Sequence, residues 1–388
     1  MGRGSVALTR IGAAARSLAR RRWSTALLAV ILLLTLTAAW GLFYYQGLNT
    51  RVRRDEGYYF PASAAEAEQA NPMPHSQLPD LEQVDPAKLE QALQTWSQGG
   101  GAVEDRNVLN ILLCGVDTQT GDARGGRSDA VMLVSVNRRR HAVVLTSVLR
   151  DSCSYIDLQK DPNNPRCVLG CVASAYSLGG PATLMETLSA DYRIPVNDYV
   201  CVDFSSFPKL IDSLGGVALN IGRADADYID ENAHGLKEPF PWGEGVHLTG
   251  DQALLYTRVS PRDEQRADRQ RAVILAILES ARAASPGQVV QALGSALRYV
   301  RTSLGEEEAG DLAKEALTQG WLGYKVTQLR SPVLPGEGGQ PTALSADLDG
   351  RRVWIVDYAR EAKRVQEAIY GHSEIEDGKD SDYIASLF

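Results

Sequence analysis

Cysteine and histidine are scarce in this chain, and their spacing does not suit zinc. The 388 residues include five cysteines and five histidines. No two cysteines have Cys-x-x-Cys spacing, and the histidines are scattered. Structural zinc sites need closely spaced Cys and His ligands. The sequence therefore argues against a zinc centre.

Positive charge is also scarce beyond the first 54 residues. Residues 1–54 carry nine arginines, with no lysine and no acidic residue. The rest of the chain has 31 basic and 48 acidic residues, a net charge of −17. This balance argues against nucleic acid as a partner. An anionic substrate must then be attracted by a local arginine cluster, because the overall field repels it.

One segment, residues 23–50, has no charge at all. Its core, Ala26–Tyr45, is long enough to cross a bilayer, and its aromatic end resembles an interfacial belt. We predict a transmembrane helix at 23–46. The alternative is a cleaved signal peptide, which normally has a shorter apolar stretch.

The flanks of this segment predict its orientation. Six arginines precede it and three follow, so residues 1–22 are expected in the cytoplasm and the remainder outside the cell membrane. Residues 47–105, rich in Pro, Ala, Glu and Gln, are interpreted as an extracellular stalk with one short helix at Pro86–Trp96. The folded part is expected to begin near Asn107.

The cysteines divide into two groups. Cys114 and Cys201 lie in apolar runs and are predicted to be buried thiols. Outside the membrane, one disulfide can form among Cys153, Cys167 and Cys171. The sequence leaves open which two of them pair.

Charged residues stand at the ends of three short apolar runs. Leu109–Val116, Ala130–Val136 and Ala142–Leu149 are rich in Val, Ile and Leu and bounded by turn residues, so each is predicted to be a strand. A meander of the three brings four charged residues to one sheet edge: Asp117, Asp129, Arg150 and Asp151. Adjacent carboxylates favour a hard cation between them, and arginine suits phosphate. Simple solvation or mutual pairing of these residues is the alternative.

A later helix, predicted from Gln265 to about Ala284, begins with cationic residues. Arg266, Arg269 and Gln270 are spaced i, i+3 and i+4, so they share one helix face. Arginine at a helix N-terminus opposes the helix dipole. Two arginines there favour an anionic partner over an ordinary solvated helix start.

Strands alternating with helices predict an α/β fold, a three-layer α/β/α sandwich with a mixed central sheet, preceded by one transmembrane helix. Residues 222–246 are expected to form a long functional loop. Thr249 and Gln252 are predicted to form a capping box. Further predicted elements follow in chain order: helices at Pro181–Asp191 and Phe207–Leu214, a strand pair at Val326–Leu334 and Val353–Val356, and a helix at Tyr358–Tyr370.

In these residues and their order along the sequence, the chain resembles the LytR-CpsA-Psr family of bacterial cell-wall ligases. The resemblance is carried by the order and spacing of the segments NILLCGVD, GGRSDAVMLVSVN, VVLTSVLRD, AYSLGGPATLMETL, VDFSSFPKLIDSLGGV, LTGDQALLYTR and RADRQ. It implies a catalytic domain at 106–388. It also implies transfer of an anionic glycopolymer, a teichoic acid or capsule chain, from an undecaprenyl-diphosphate carrier to peptidoglycan, with formation of a phosphodiester.

The resemblance also implies roles for individual residues. Asp117 and Asp129 are expected to bind Mg²⁺ at the diphosphate, and the lipid tail is expected in an apolar tunnel. Asp151 is the candidate for accepting the proton of the incoming hydroxyl; the competing role is to orient Arg150. The phosphates are expected to be held by Arg127, Arg150, Arg258, Arg266, Arg269 and Gln270.

Three positions depart from the family pattern. Cys171 and Ala173 stand where the family commonly has lysine and asparagine, and Ser260 stands where an arginine is frequent. Arg262 is the candidate to replace that arginine. Two other functions therefore stay open: a lipid-diphosphate pyrophosphatase, and a non-catalytic polyprenyl-phosphate-binding envelope protein or regulator.

Overall fold

A computed structural model describes most of the chain beyond residue 83. The described residues are 53–54, 84–117, 126–158, 167–234, 236–283, 299–305, 308, 311–312, 315, 318–336, 340–348 and 350–375. Among them, no helix is both long and apolar enough to span a bilayer. The predicted cytoplasmic segment 1–22 and transmembrane segment 23–46 lie outside the described residues.

The described elements alternate between strands and helices. In chain order, the strands are β1 (Val108–Asp117), β2 (Arg127–Asn137), β3 (Ala142–Val148), β4 (Cys153–Asp157), β5 (Cys167–Cys171), β6 (Asp198–Asp203), β7 (Val217–Ile221), β8 (Gly243–Leu248), β9 (Lys325–Ser331), β10 (Ala343–Leu348) and β11 (Arg351–Val356). The helices are α1 (Pro86–Gln98), α2 (Val172–Tyr192), α3 (Phe207–Ser213), α4 (Arg223–Asn232), α5 (Gly250–Arg258), α6 (Asp263–Ala283) and α7 (Tyr358–Tyr370).

These elements form two compact units. Among the described residues, the larger unit takes its residues from 84–204, 260–271 and 326–375, and the smaller unit from 53–54, 205–259 and 272–325. Helix α6 begins in the larger unit, which contains its first nine residues, Asp263–Arg271. All predicted site residues except Arg258 belong to the larger unit.

The larger unit is built on a mixed sheet with the strand order β6-β1-β2-β3-β9. Strands β1, β2 and β3 are antiparallel neighbours, whereas β6 runs parallel to β1. The middle of β1 is apolar and buried almost without interruption, as expected for a strand covered on both faces. The predicted meander and the mixed α/β class are therefore confirmed.

Helix α1 packs into the core of the larger unit. Asp85 caps its N-terminus and Pro86 occupies the first turn, where no amide hydrogen is needed. Its apolar stripe, Leu89, Leu93 and Trp96, is at most 2% exposed. The Trp96 indole donates a 3.0 Å hydrogen bond to the Asp191 carbonyl oxygen at the end of α2. Part of the segment predicted as a stalk is thus core.

A hairpin and a longer helix follow the meander, where only one helix was predicted. Strands β4 and β5 pair antiparallel, and α2 begins directly afterwards at Val172. The helical conformation is interrupted at Gly179 and Gly180 and resumes at Pro181, the predicted start. Gly180 has φ +72°, a conformation that only glycine adopts freely. The half of the helix that precedes the break was therefore not predicted.

The smaller unit contains α3, the antiparallel pair β7 and β8, α4 and α5. The predicted long loop at 222–246 is wrong, because this stretch contains α4 and the start of β8. Helix α4 has no clear apolar stripe, because only two of its residues, Ala226 and Ile229, are buried. The predicted capping box between Thr249 and Gln252 at the start of α5 is confirmed. Within the same unit, Arg53–Arg54 pairs in parallel with Arg301–Thr302.

The last strands pair differently from the prediction. β9 joins the central sheet beside β3, and β11 pairs antiparallel with β10 instead. The expected pairing of Val326–Leu334 with Val353–Val356 is therefore wrong. Helix α7 spans Tyr358–Tyr370 as predicted.

Two cysteine predictions change. Cys114 and Cys201 are direct partners on parallel strands β1 and β6, with Cα atoms 4.6 Å apart, and they form a disulfide. The prediction that both are buried thiols is wrong: the sequence could not show that their strands are neighbours in register. The disulfide expected among Cys153, Cys167 and Cys171 is not formed in this structure at Cys153 or Cys171, where the two sulfur atoms are unbonded.

Asp191 is a fully buried carboxyl group at the end of α2. It accepts a short hydrogen bond from the Ser154 hydroxyl, which also lies 2.9 Å from the Tyr358 hydroxyl. Burial in the core raises the pKa of Asp191 to about 8, although hydrogen bonds from Ser154 and Tyr358 to its carboxyl group oppose the shift. The side chain is therefore mostly a neutral acid at pH 7.

This raised pKa predicts a specific pH dependence of stability. In the unfolded chain Asp191 ionises near its ordinary pKa, so the folded state is favoured at low pH and loses stability as the pH rises from about 4 to about 8. The slope attributable to one such group is at most about 1.4 kcal/mol per pH unit. Asp191→Asn, which keeps the shape and cannot ionise, should lack this component in denaturant unfolding across pH. Glu90→Gln, on the exposed face of α1, serves as the control; parallel curves for wild type and Asp191→Asn would contradict the prediction.

Candidate active site

The predicted charged edge exists, and a β-bulge shapes it. Gly115 pairs with Ala130, but Val116 pairs with Ser128, so Asp129 is an extra residue on β2. Bulges re-aim a side chain and are frequent beside active sites. Asp117, the last residue of β1, lies directly across from Arg127. The strand ends thus bring Asp117, Arg127 and Asp129 together.

Arg150 is the hub of this edge. It follows β3, and its side chain is only 14% exposed. Its Nη1 atom donates to Asp129 Oδ1 at 2.6 Å, and its Nη2 atom lies 3.2 Å from Asp263 Oδ1. Burial lowers the pKa of Arg150, but Asp151, Asp263 and Asp129 together outweigh it and raise the pKa above its usual value. The guanidinium is held charged among three carboxyl groups.

Two further arginines extend the cluster. Arg127 Nη2 lies 3.9 Å from Asp129 Oδ1, and Arg266 Nη1 lies 2.7 Å from Asp263 Oδ1. The charges therefore alternate in space from Arg127 through Asp129, Arg150 and Asp263 to Arg266. An alternating chain of this kind holds several guanidinium groups close together without unscreened repulsion.

Asp263, the first residue of α6, was missed by the sequence analysis. It forms ion pairs with two arginines, the distant Arg150 and Arg266 of its own helix. A signal was available: an acidic residue in the first turn of a helix complements the helix dipole, and Asp263 stands three residues before Arg266. Its contact with Arg150 could not be found without the tertiary structure, because 113 residues separate the two.

Asp151 and Asp263 are hydrogen-bonded to each other and titrate as a pair. Burial is the largest influence on Asp151 and raises its pKa to about 7, and the neighbouring Asp263 adds to the shift against Arg150. Burial also opposes ionisation of Asp263, but its hydrogen bond with Asp151 and the charges of Arg150 and Arg266 lower its pKa. Near neutral pH, Asp151 therefore carries the proton of the pair part of the time, and Asp263 is ionised.

Several buried polar atoms of the cluster lack hydrogen-bond partners within the described part of the chain. These atoms are Arg150 Nε, Asp151 Oδ2, Arg266 Nε and Gln265 Oε1. Arg150 Nε and Asp151 Oδ2 lie 3.4 Å apart, close enough for an ion pair but without hydrogen-bond geometry. Buried polar groups are normally satisfied, so their concentration here points to a polar ligand or water.

The start of α6 is fixed to the sheet. Arg271 donates to Ser147 Oγ on β3 at 2.9 Å and to Asp268 Oδ1 at 2.6 Å. Asp268 Oδ2 also accepts from Arg330 on β9 at 2.9 Å. These contacts place the helix start beside the charged edge.

The other predicted phosphate ligands are Gln270, Arg269 and Arg258. Gln270 Nε2 lies 3.4 Å from the Asp129 carbonyl oxygen, so it reaches the bulge. Arg269 is 5% exposed on the same helix. Arg258, the last residue of α5, is exposed and belongs to the smaller unit. The structure therefore joins Gln270 to the charged edge.

Two of the positions that depart from the family pattern, Cys171 and Ala173, lie near this cluster. The Ala173 amide donates to the Arg150 carbonyl oxygen at 2.9 Å, so the start of α2 borders the hub. Arg262, the candidate replacement for a missing arginine, has a side chain that is 63% exposed and pairs with Glu264 at 3.3 Å. In this structure its charge is engaged outside the hub.

The fit of a metal ion can be judged from the donors. Within the described residues, no group of three or more Asp, Glu, His or Cys side chains forms a metal cage. Mg²⁺ commonly binds one or two carboxylates and completes its shell with water and substrate phosphate. Asp117 and Asp129 supply two carboxylates at adjoining strand ends, and a phosphate-bearing substrate can supply the rest. The donor set fits Mg²⁺ bound together with a phosphate.

Sequence relatives support the family resemblance. TagU of Halalkalibacterium halodurans, named a polyisoprenyl-teichoic acid–peptidoglycan teichoic acid transferase, is 28% identical over 204 residues, or 50% of this chain and 62% of that protein. TagV of Bacillus subtilis, which carries the same activity name, is 27% identical over 229 residues, or 58% of this chain and 56% of that protein. The chain thus spans less than two thirds of the length of these two relatives.

Solved structures share the fold. A crystal structure of B. subtilis TagV has a TM-score of 0.53 at 23% identity, and covers 69% of this chain and 99% of that one. A structure of TagT bound to LI-WTA has a TM-score of 0.53 at 21% identity, and covers 69% and 94%. At these identities the likeness shows the mixed α/β fold with its central mixed sheet.

A family-level comparison covers more of the chain. The model described as the LytR_cpsA_psr family matches residues 65–366, well over half of the sequence. The order of the sequence segments, the mixed sheet and this match agree. The chain therefore belongs to the LytR_cpsA_psr family.

Proposed function

We propose that this protein is a membrane-anchored phosphotransferase that moves an anionic glycopolymer from an undecaprenyl-diphosphate carrier to peptidoglycan. The observation that carries the proposal is the buried cluster around Arg150, in which Arg150, Asp151 and Arg266 have unsatisfied polar atoms. Two similar proteins are named teichoic acid transferases, and a 19% identical structure, TM-score 0.50, is described with bound octaprenyl pyrophosphate lipid.

The cluster suits a diphosphate. Guanidinium groups bind phosphate oxygens in pairs and stay charged at any physiological pH. Arg127, Arg150 and Arg266 are already held by carboxylates, so their positions need little reorganisation when substrate arrives. Arg269 and Gln270 are proposed as further phosphate ligands. In this proposal the cluster neutralises the charge that grows on the leaving phosphate.

Asp151 is proposed to accept the proton of the attacking hydroxyl. A base works best when its pKa lies near the operating pH, and burial has raised that of Asp151 to about 7. The new P–O bond then forms from the hydroxyl oxygen, and the lipid phosphate leaves. The competing role, orientation of Arg150, uses the same ion pair.

Mg²⁺ is proposed as a cofactor that would bind Asp117 and Asp129 and supply positive charge at the diphosphate.

We also propose where the protein is located. The segment at 23–46 would span the membrane once, with residues 1–22 inside and an α/β/α sandwich outside. The lipid tail would lie in an apolar tunnel of that sandwich, near the cell surface where peptidoglycan is assembled.

A non-catalytic binder of polyprenyl phosphate is the second candidate. Cys171, Ala173 and Ser260 remove three polar family side chains from the region of the cluster, and Arg262 does not replace one of them in this structure. A protein that keeps the arginine cluster can still hold a lipid diphosphate without transferring it.

A turnover assay distinguishes between the ligase, the pyrophosphatase and the non-catalytic binder. The purified full-length chain should move label from an undecaprenyl-diphosphate oligosaccharide onto peptidoglycan, and only with Mg²⁺. Release of lipid phosphate without peptidoglycan would indicate a pyrophosphatase. Tight binding with no transfer and no release would establish the binder and reject the ligase.

The proposed metal ligands predict a common phenotype. Asp117→Ala and Asp129→Ala should each abolish Mg²⁺-dependent turnover, because each removes one of two carboxylates that the ion would need. Their thermal unfolding should show an intact fold, while Asp129→Ala also weakens the Arg150 ion pair. Glu90→Gln on α1 is the control. Wild-type turnover by both alanine variants would remove this metal site.

Arg269 is predicted to bind phosphate. Arg269→Ala should weaken binding of an undecaprenyl diphosphate by roughly 1.5–3 kcal/mol, the scale of a hydrogen bond to a charged group. Calorimetric titration measures the change. The matched control is Arg139→Ala, since the Arg139 side chain is 61% exposed, pairs with Asp105 at 3.3 Å and has no proposed role at the site. Equal affinities for the two variants would exclude Arg269 from the site.

The variant Asp263→Asn distinguishes between the two roles considered for Asp151, proton acceptor and orientation of Arg150. The negative charge of Asp263 helps to raise the pKa of Asp151, so its removal lowers that pKa. If Asp151 is the base, it must be deprotonated to act, and the acidic limb of the pH–rate profile should move to lower pH in Asp263→Asn. An unmoved limb with a lower rate at every pH would instead assign Asp151 to the orientation of Arg150.

A further inference from the structure

Cys153 and Cys171 face each other on the hairpin that follows the hub. Cys153 begins β4, Cys171 ends β5, and the register makes them direct partners. Both belong to the core side of the hairpin: Cys153 is fully buried in the core and Cys171 packs against it. Directly opposed residues of an antiparallel pair point to the same face.

The hydrogen bonds of the hairpin show whether Cys153 and Cys171 form a hydrogen-bonded or a non-hydrogen-bonded pair. The Val172 amide donates to the Ser152 carbonyl oxygen at 2.9 Å, so Ser152 and Val172 occupy a hydrogen-bonded position of the ladder, although the Ser152 amide itself donates to the Leu149 carbonyl oxygen at 3.1 Å. Hydrogen-bonded and non-hydrogen-bonded pairs alternate along an antiparallel ladder, so the next pair, Cys153 and Cys171, is of the second kind. Such pairs have Cα atoms about 4.5 Å apart, within the range that a disulfide spans.

We propose that Cys153 and Cys171 form a cross-strand disulfide that fastens the segment carrying Arg150 and Asp151 to the start of helix α2. Cys167 is excluded as the partner of Cys153, because it pairs with Asp157 at the far end of the hairpin. A second disulfide is consistent with the bond between Cys114 and Cys201 in the same unit, since both form where an oxidant is available. This inference does not rest on the proposed function.

The reaction is a thiol–disulfide exchange with a protein or small-molecule disulfide as oxidant. One cysteine thiolate attacks the oxidant, whose S–S bond breaks to give a mixed disulfide and one thiol. The second cysteine thiolate then displaces the other thiol, and the Cys153–Cys171 bond forms. The two cysteines lose two protons and two electrons, and the oxidant becomes two thiols.

The burial of both cysteines determines when the disulfide can form. Burial raises the pKa of Cys171 to about 12 and that of Cys153 well above its usual value. Folded thiols of this kind react slowly because the thiolate is the nucleophile. The bond should therefore form while the chain folds, and the folded reduced protein should resist oxidation.

The linkage has a location consistent with a role at the site. The amide of Ala173 is bonded to the carbonyl oxygen of Arg150, and that of Val172 to Ser152. The disulfide would close the same junction covalently, within three residues of Arg150 and two residues of Asp151. It would thereby limit movement of the segment that carries both groups.

Peptide mapping tests the proposal directly. The full chain is reduced, unfolded, refolded with oxidised glutathione, alkylated and digested with trypsin. Cleavage after Arg150, Lys160, Arg166 and Arg193 gives peptide 151–160 with Cys153 and peptide 167–193 with both Cys167 and Cys171. We expect these two peptides to be linked until reductant is added, in wild type and in Cys167→Ser, and unlinked in Cys171→Ser. An alkylated Cys153 in the oxidised wild type, or a link that survives Cys171→Ser but not Cys167→Ser, would overturn it.

Thermal unfolding provides a second measurement. Under oxidising conditions, Cys171→Ser should have a Tm about 5 °C or more below that of Cys167→Ser, because only the former loses the cross-link. With reductant the two Tm values should converge. Equal Tm values without reductant would contradict the disulfide.

Discussion

The buried guanidinium of Arg150 is the interaction on which the charged edge depends. It joins the bulge of β2 through Asp129, its own segment through Asp151, and the start of α6 through Asp263. Removing a cation from water is costly unless its partners are well placed. Each of the three elements must therefore occupy its observed position for the charge to remain inside. The same requirement makes the edge suitable for an anion, since the positive charge is fixed before any ligand arrives.

A second buried charge supports the position of that hub. Glu361 on α7 is fully buried, accepts from the Ser331 hydroxyl at 2.6 Å and pairs with Arg364 at 2.7 Å. Ser331 ends β9, and its carbonyl oxygen accepts from the Leu149 amide at 2.8 Å, immediately before Arg150. A chain of hydrogen bonds thus connects helix α7 with the segment of the hub. The C-terminal part of the larger unit therefore belongs to the support of the site.

Local patterns predicted most of the elements but fewer of their partners. Apolar runs bounded by turns identified β1, β2 and β3, and the short links between them limited these strands to a meander. Helix α4 was missed because only two of its residues are buried, which leaves no clear apolar period. The β4–β5 hairpin was missed for a related reason. Both strands are five residues long, too short for a distinctive pattern. Helix α1 was predicted, yet its burial depends on Asp191 and Arg193, about a hundred residues away.

The sequence by itself determined the meander and the presence of charged residues at its strand ends, because these follow from local periodicity and short-range order. The order and spacing of its motif segments also carried the resemblance to the family. Only the tertiary structure decided which charges meet. The bulge at Asp129 depends on the register between two strands, and the contact of Asp263 with Arg150 depends on how α6 lies on the sheet. The bond between Cys114 and Cys201 depends on the parallel register of β1 and β6. Pairing across the chain is set by packing, and no local pattern of residues encodes it.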